Sequence, residues 1–291
     1  MMHPIAQERN GLNLRRGFPG ENPAFDVRWY QLGVLGSLLA YALLFLRFDV
    51  SLPQVVVTLA SVSAFQILGS RIAGLPDVEL KSALISGLSL CLLLRANSLL
   101  IVVLACGLTI SSKFLLRIHG KHVFNPTNFG IALSVLLTGQ AWVSPGQWGS
   151  GVLIALFVAG CGWLVVQRVE RSDVTVAFLL AYPGLFFARA LWLGDPLTIP
   201  LHQLTNGALL IFAFFMISDP KTTPDSRAGR ILFAIAVAGV AYALRFKLYN
   251  PNALIYSLIL VSVAVPVFNQ VFPGPSFAWK GGRHRTLNQP R

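Results

Sequence analysis

Long apolar runs alternate with short polar breaks along the whole chain, and ten runs can be separated in this way. A helix that crosses the hydrocarbon core of a bilayer needs about 20 mostly apolar residues. The pattern therefore predicts ten membrane segments. They are Tyr30–Leu46, Pro53–Ala73, Ser82–Leu94, Ala96–Leu116, Phe124–Gly139, Trp148–Val166, Val174–Leu193, Asn206–Ser218, Ala228–Phe246 and Asn252–Phe272.

Composition agrees with a chain that lies in a lipid bilayer. Hydrophobic residues make up 55% of it, charged residues 12%, and the mean hydropathy is +0.66, whereas soluble domains carry about 25% charged residues. The net charge of +12 comes from short basic clusters between the apolar runs. This distribution follows the positive-inside rule better than it fits a nucleic-acid-binding surface. We expect an all-α polytopic membrane protein with no nucleic-acid partner.

Lys and Arg residues also orient the predicted segments. With ten spans, 18 of the 23 fall on one side and five on the other, which places both termini in the cytoplasm. Residues 1–29 then form a cytoplasmic tail without a cleavable signal peptide. Residues 30–272 form one membrane domain, and residues 273–291 form a basic cytoplasmic tail.

A doubled motif marks the fifth and tenth segments. The first copy reads KHVFNPTNFG and the second KLYNPNALIY, so that Asn125-Pro126 and Asn250-Pro251 each stand at the head of an apolar run, 125 residues apart. A proline presets the first helical turn, and a neighbouring asparagine can accept from its free N–H groups.

The third and eighth segments are the two shortest, and they end at Arg95 and Asp219, 124 residues apart. Two landmarks with almost the same offset predict two inverted five-helix repeats, at about 30–139 and 148–272, in which these short segments are half-helices. The alternative is that both are tilted, slightly short helices.

Candidate binding groups are carboxamides, because no Asp or Glu lies within the centre of an apolar run. They belong to Asn125, Asn128, Asn250 and Asn252. Each could instead cap a helix, and the two roles are compatible.

Two charged residues complete the candidate set for a cofactor or an ion. Lys113 lies about one turn inside the fourth segment, where snorkelling to the interface is the simpler role and a phosphate or flavin contact the second. Asp219 begins the SDPKTTP turn, where it could cap backbone groups or pair with Lys221 or Arg227. The residues that we expect to be structural in these motifs are Pro126, Pro251, Pro220, Thr222 and Thr223.

Metal binding and catalysis by this chain alone are not expected. His119 and His122 lie in a basic loop without a carboxylate or Cys nearby, so a metal site is not predicted there. No catalytic residue is assigned.

Two stretches resemble a known family. FFMISDPKTTP with the downstream RAGR, and ISGLSLCLLL followed by KFLLRIHGKHVFNPTNFG, are similar to the D subunit of Rnf electron-transport complexes and the B subunit of sodium-translocating NADH:quinone oxidoreductase. The resemblance implies two inverted five-helix repeats in a bacterial inner membrane. It also implies electron transfer through flavin, coupled to Na⁺ or H⁺ movement, with other membrane subunits as partners.

The chain departs from that family where its flavin is attached. The resemblance implies FMN esterified to the threonine of an SGAT motif, but this chain reads TGQAWVSPGQWGSGVL, with Val152-Leu153 after Ser150-Gly151. We therefore expect a divergent member without covalent FMN, and non-covalent FMN or riboflavin stays open. Three hypotheses about function follow. The first is a non-autonomous subunit of a membrane oxidoreductase, and the second is a channel or transporter for an ion or small polar solute. A scaffold that has lost its chemistry is the third.

Overall fold

The computed structural model describes residues 26–46, 49–118, 120–143, 152–204 and 207–277, with the backbone alone in 152–157. This part of the chain is mostly helical. Its helices are α1 (Arg28–Leu44), α2 (Leu52–Ile72), α3 (Leu80–Leu93), α4 (Leu99–Leu115), α5 (Pro126–Thr138), α6 (Val152–Arg168), α7 (Ser172–Leu193), α8 (Thr198–Leu204), α9 (Gly207–Ile211), α10 (Arg227–Phe246), α11 (Ala253–Ser262) and α12 (Val265–Val271). A π-helical turn, Phe212–Met216, continues α9. The strands are β1 (Leu94–Ala96), β2 (Arg117–Ile118), β3 (Lys121–His122) and β4 (Ala141–Val143).

Three of the described helices are long and apolar enough to cross a bilayer, namely α2, α7 and α10. Two bent pairs, α8 with the segment Gly207–Met216 and α11 with α12, would bring the number to five. Helices α3, α4 and α5 are apolar but shorter. The prediction of an apolar, all-α chain is thus confirmed in its coarse form.

Polar side chains start several of these helices where the sequence changes from polar to apolar. The Oγ atoms of Ser51, Ser98 and Ser226 accept from backbone N–H groups in the first turns of α2, α4 and α10. Asn125 does the same for α5. Such a cap typically stabilises a helix by about 1 kcal/mol because it satisfies an otherwise free donor.

Helix packing follows the same order in the two halves. In the first half, α3 packs on α1 and α2, and α4 lies between α2 and α5. In the second half, α9 and its π-helical turn pack on α6, the turn also contacts α7, and α10 lies between α7 and α11. One continuous core connects the halves, and Leu38, Phe178 and Phe233 are among its fully buried side chains.

Non-helical backbone follows the third predicted segment, as expected. Helix α3 ends at Leu93, and β1 pairs antiparallel with β4, which comes just after α5. The backbone polar groups that are released by the end of α3 are thereby satisfied within the protein, as they must be if this region lies at membrane depth.

One predicted segment is divided in the structure, and one helix lies outside all the predicted segments. The tenth was predicted as one helix, but α11 and α12 meet at a bend of 50°. Proline stands in the first turn of α12, where its missing N–H and its ring prevent a continuous helix. The short helix α8 was not predicted, because Gly194-Asp195-Pro196 reads as a loop that would extend to the next apolar run.

Candidate functional site

The FNPTN motif and the SDPKTTP turn are in contact through the side chain of Asn125. Its Oδ1 accepts from the backbone N of Asn128 at 3.0 Å, which caps α5. Its Nδ2 donates to Oδ2 of Asp219 at 3.3 Å and to the carbonyl oxygen of Met216 at 3.4 Å. The capping role is confirmed, and the same side chain joins the head of α5 to the turn that follows α9.

Asn128 connects the two Asn-Pro segments from inside the core. Its side chain is fully buried, and its Nδ2 donates to the carbonyl oxygen of Ile255 in α11 at 2.9 Å. Within the described residues its Oδ1 has no hydrogen-bond partner. A buried acceptor without a partner costs free energy in the folded state, so Asn128 is a binding candidate as well as a structural link.

Asp219 organises the turn that contains Thr222 and Thr223. Its Oδ1 accepts from the backbone N of Lys221 at 3.0 Å, and its carbonyl oxygen accepts from the N–H groups of both threonines at 3.1 Å. Backbone capping is therefore the alternative that the structure supports. In the described part of the chain, Asp219 forms no ion pair within 4.0 Å with Lys221 or Arg227. Pro220, Thr222 and Thr223 are buried, as expected for structural residues.

Lys113 does not snorkel, and that interpretation was wrong. The side chain is 4% exposed, and its Nζ donates to the carbonyl oxygen of Ser82 at 2.8 Å and to the Oγ at 3.1 Å. Helix α3 begins beside the end of α4 and offers these oxygens at closer range than the interface. Hydrogen bonds of this kind offset part of the cost of burying an ammonium group.

These residues surround a small polar cavity, which is lined by Ser82, Lys113, Asn125, Asp219 and Lys221, among others. Its volume is about 70 Å³, enough for about two waters and far below the roughly 300–1,000 Å³ of typical ligand pockets.

The charges around the polar cavity are predominantly positive. Arg28 also lines it, but its guanidinium pairs with Asp26 and Glu79. Lys113 and Lys221 then face the single carboxylate of Asp219, and a further cation would be repelled.

The pKa values of two titratable groups that line the polar cavity are shifted by their surroundings. Burial, together with the charges of Lys221 and Arg117, lowers the pKa of His122 to about 3. Burial also raises the pKa of Asp219, although the backbone N–H of Lys221 and nearby lysines act in the opposite direction. His122 is thus neutral at physiological pH.

Comparison with known proteins identifies the chain's relatives. The family described as NQR2, RnfD, RnfE matches residues 133–277, a range that includes the Asp219 turn and begins eight residues after Asn125. Over this range, which is about half of the chain, the predicted resemblance to that family is confirmed.

Curated relatives of the chain are named as the D subunit of an ion-translocating oxidoreductase complex. The protein from Citrobacter koseri is 26% identical over 156 residues, which is 54% of this chain and 42% of the relative. The one from Stutzerimonas stutzeri is 32% identical over 118 residues, 40% and 33%. The one from Haemophilus influenzae strain Rd is 27% identical over 139 residues, 48% and 38%. The matched region thus spans about a third to two fifths of these relatives.

The second Asn-Pro motif does not reach the polar cavity. Asn250 Oδ1 accepts from the backbone N of Asn252 at 2.8 Å, and its own N–H donates to the carbonyl oxygen of Leu244 at the end of α10. Pro251 lies in a turn and not in the first turn of α11, which begins at Ala253. Neither asparagine lines the polar cavity.

Sequence reasoning missed Ser82 and His122 as site residues. Ser82 stands in an ordinary helix start, and only the burial of Lys113 gives it a role. His122 was interpreted as an ordinary loop residue, but it lies in the β2–β3 hairpin and lines the polar cavity. The signal that could have found it was its position two residues before the FNPTN motif. His119 and the Ser150-Gly151 pair lie outside the described residues.

Proposed function

We propose that this chain is a non-autonomous membrane subunit of an Rnf- or Nqr-type electron-transport system, coupled to cation movement and without covalent FMN. The main structural support is the contact between Asn125 and Asp219, which joins the FNPTN motif to the SDPKTTP turn, the two motifs that resemble this family. The relatives' printed names, which describe a subunit of an ion-translocating oxidoreductase complex, support the proposal.

We further propose that the membrane domain consists of two inverted five-helix repeats in ten spans. The packing order of the first half recurs in the second. In this scheme α3 corresponds to α9 with its π-helical turn, and α4, between α2 and α5, corresponds to α10, between α7 and α11. Inverted repeats of an odd number of spans require this recurrence.

The ion pairs of the described residues support the proposed sidedness, with both termini in the cytoplasm of a bacterial cell. Lys121 pairs with Asp225 at 2.7 Å and Arg230 with Asp173 at 2.6 Å, and all four belong to the predicted cytoplasmic side. Arg189, predicted on the outer side, lies 3.7 Å from Asp195 on that same side.

The polar cavity does not fit a flavin. A volume of about 70 Å³ is too small for a tricyclic ring, since drug-sized ligands occupy pockets of roughly 300–1,000 Å³. The attachment threonine of the family is also missing from the sequence. We therefore assign no electron-transfer step to a flavin on this chain, and the partner subunits carry the redox groups in this proposal.

The test is complementation of a deletion strain of the native host with plasmid-borne variants. Oxidoreductase activity and coupled Na⁺ or H⁺ uptake are measured in inverted membrane vesicles, and assembly is followed by native gel electrophoresis. The Asp219→Asn variant should assemble and lose most of the activity. Asn250→Ala is the control, because Asn250 does not line the polar cavity, and this variant should retain the activity. Full oxidoreductase activity in the deletion strain without any plasmid would refute the proposal.

The second candidate is a channel or transporter for an ion or small polar solute on the same fold. It is favoured by the small size of the polar cavity and by its carboxamide and hydroxyl lining. Purified chain, reconstituted alone in liposomes, would then carry solute flux without any partner. Flux through the chain alone would support this candidate over the first.

A further inference from the structure

A second and larger pocket lies beside the polar cavity, between the β2–β3 hairpin, the 219–225 turn and α12. Its volume is about 530 Å³, which is within the range of small-molecule sites. We call it the basic groove. Its polar lining includes Arg117, Lys121, Lys221, Asp225, Asn269 and Gln270, together with His122, Ser262 and Ser276.

The basic groove carries unneutralised positive charge. Of its three cations, Lys121 is engaged, because its Nζ contacts Oδ1 of Asp225 at 2.7 Å and the carbonyl oxygen of Thr223 at 2.6 Å. Arg117 donates through Nε to the carbonyl oxygen of Lys113, which leaves its terminal N–H groups. Within the described ranges neither Arg117 nor Lys221 forms an ion pair.

Buried polar atoms without partners line the same groove. Ser262 is 1% exposed, and its Oγ has no hydrogen-bond partner among the described residues. The same holds for Nδ1 of His122. Buried polar groups are nearly always paired with protein, water or ligand. Ser262 therefore points, independently of the charges, to an occupant of the groove that can form a hydrogen bond.

The remaining wall of the groove is apolar and includes Ile118, Val265, Pro266 and Phe277. An occupant therefore needs both an anionic head and an apolar body. A phosphate monoester offers three acceptor oxygens and up to two negative charges to Arg and Lys side chains that converge on it, whereas a carboxylate offers two oxygens and one charge.

We propose that the basic groove binds a phosphate ester with an apolar body, whose phosphate is held by Arg117, Lys221 and Ser262. The ester can come from a membrane phospholipid or from the soluble pool, since both present the same chemistry. This site adjoins the polar cavity and shares His122, Pro220 and Lys221 with it, but it does not depend on the proposed electron-transport role.

The experiment uses the full chain in nanodiscs of neutral lipid. One probe is phosphatidic acid, whose binding is measured by native mass spectrometry. The other is glycerol 3-phosphate, its soluble head, which is measured by titration calorimetry. The double variant Arg117→Gln/Lys221→Gln should bind phosphatidic acid at least about tenfold more weakly, because two charge-assisted contacts are lost. The control is Arg245→Gln/Lys247→Gln, which removes the same amount of charge at the C-terminal end of α10. Neither residue lines the groove, so this variant should bind as the wild type does.

The two probes distinguish a lipid from a soluble phosphate ester, and they also show whether the groove binds a phosphate ester at all. Binding of phosphatidic acid alone assigns the groove to a lipid, and binding of both probes opens it to soluble esters. Binding of neither probe, or an equal loss in both double variants, overturns the proposal. Ser262→Ala guards against misfolding, because its hydroxyl has no partner to lose among the described residues. It should keep the wild-type melting temperature and weaken binding several-fold, and an unchanged affinity in this variant would also overturn the proposal.

Discussion

Gly130 lies where α5 packs tightly against α4, and its replacement by alanine should separate the two helices. A Cβ atom at this position would overlap Oγ1 of Thr109 and lie 2.9 Å from the carbonyl oxygen of Ala105. The Thr109 Cβ would be 3.0 Å away. The carbonyl belongs to the backbone of α4 and cannot rotate away, so the helices must move.

The cost follows from the type of clash. One additional methyl group in a packed core destabilises a protein by about 1–3 kcal/mol. Each kcal/mol lowers the melting temperature by roughly 2–4 °C for a domain of 150–250 residues, so we expect a decrease of about 2–12 °C. Asn125, the N-cap of α5, lies five residues before Gly130, about 7.5 Å along the helix axis at 1.5 Å per residue. The contact with Asp219 should therefore loosen too.

Melting of the purified protein in detergent, followed by size-exclusion chromatography after heating, measures this effect. Thr109→Ala in the same chain removes the overlapping hydroxyl but leaves the Ala105 carbonyl in place. The double variant should therefore recover part of the loss, which a double-mutant cycle quantifies. Gly239→Ala in α10 is the control, since a Cβ there meets nothing within 4 Å.

Wild-type melting of Gly130→Ala would refute the close packing of α4 and α5. An equal decrease in Gly239→Ala would show that the assay reports glycine replacement in general. Full recovery in the double variant would mean that the Thr109 hydroxyl, and not the Ala105 backbone, limits the approach of the helices.

Three further predictions concern the site. Acid should destabilise the protein through His122: its pKa of about 3 in the folded state lies below its ordinary 6.5, so its contribution is complete above pH 6.5 and is lost as the pH falls towards 3. His122→Gln should flatten the pH dependence of the melting temperature in that window, and an unchanged slope would contradict the assignment. Asn125→Asp keeps the helix cap but places a second carboxylate beside Asp219, so it should lower the melting temperature at neutral pH more than Asn125→Ala, which loses a cap worth about 1 kcal/mol. The reverse order would argue against the contact. Denaturing gels of the purified protein should show no flavin fluorescence, because the attachment threonine is missing, and a fluorescent band at the size of the chain would contradict this.

The apolar pattern predicted most helices to within two or three residues, because a boundary between apolar and polar sequence is a local property. Helices α3 and α5 begin and end close to their predicted limits. The cap by Asn125 was also predictable, since an asparagine directly before a proline satisfies donors within its own turn.

The contacts between distant segments could not be predicted in the same way. Lys113 and Ser82 are 31 residues apart, and only the packing of α3 on α4 makes burial preferable to the interface. The different contacts of Asn125 and Asn250 could not be predicted either, because both asparagines have the same local sequence signal. The first meets a turn from the other half of the chain, whereas the second closes onto the end of α10.

The ends of the two short segments show why structural likeness between the halves does not extend to the site. At the end of α3, Arg95 donates to the carbonyl oxygens of Cys91 and Leu94, and a cation is favourable where a helix presents its free carbonyls. Asp219 stands just after the corresponding segment, where a carboxylate is unfavourable for the same reason. It is held there by the Lys221 N–H and by Asn125. A residue that opposes the local electrostatic preference and needs partners from another segment is expected at a functional position. For this reason we expect neutralisation of Asp219 to abolish function while the fold is retained.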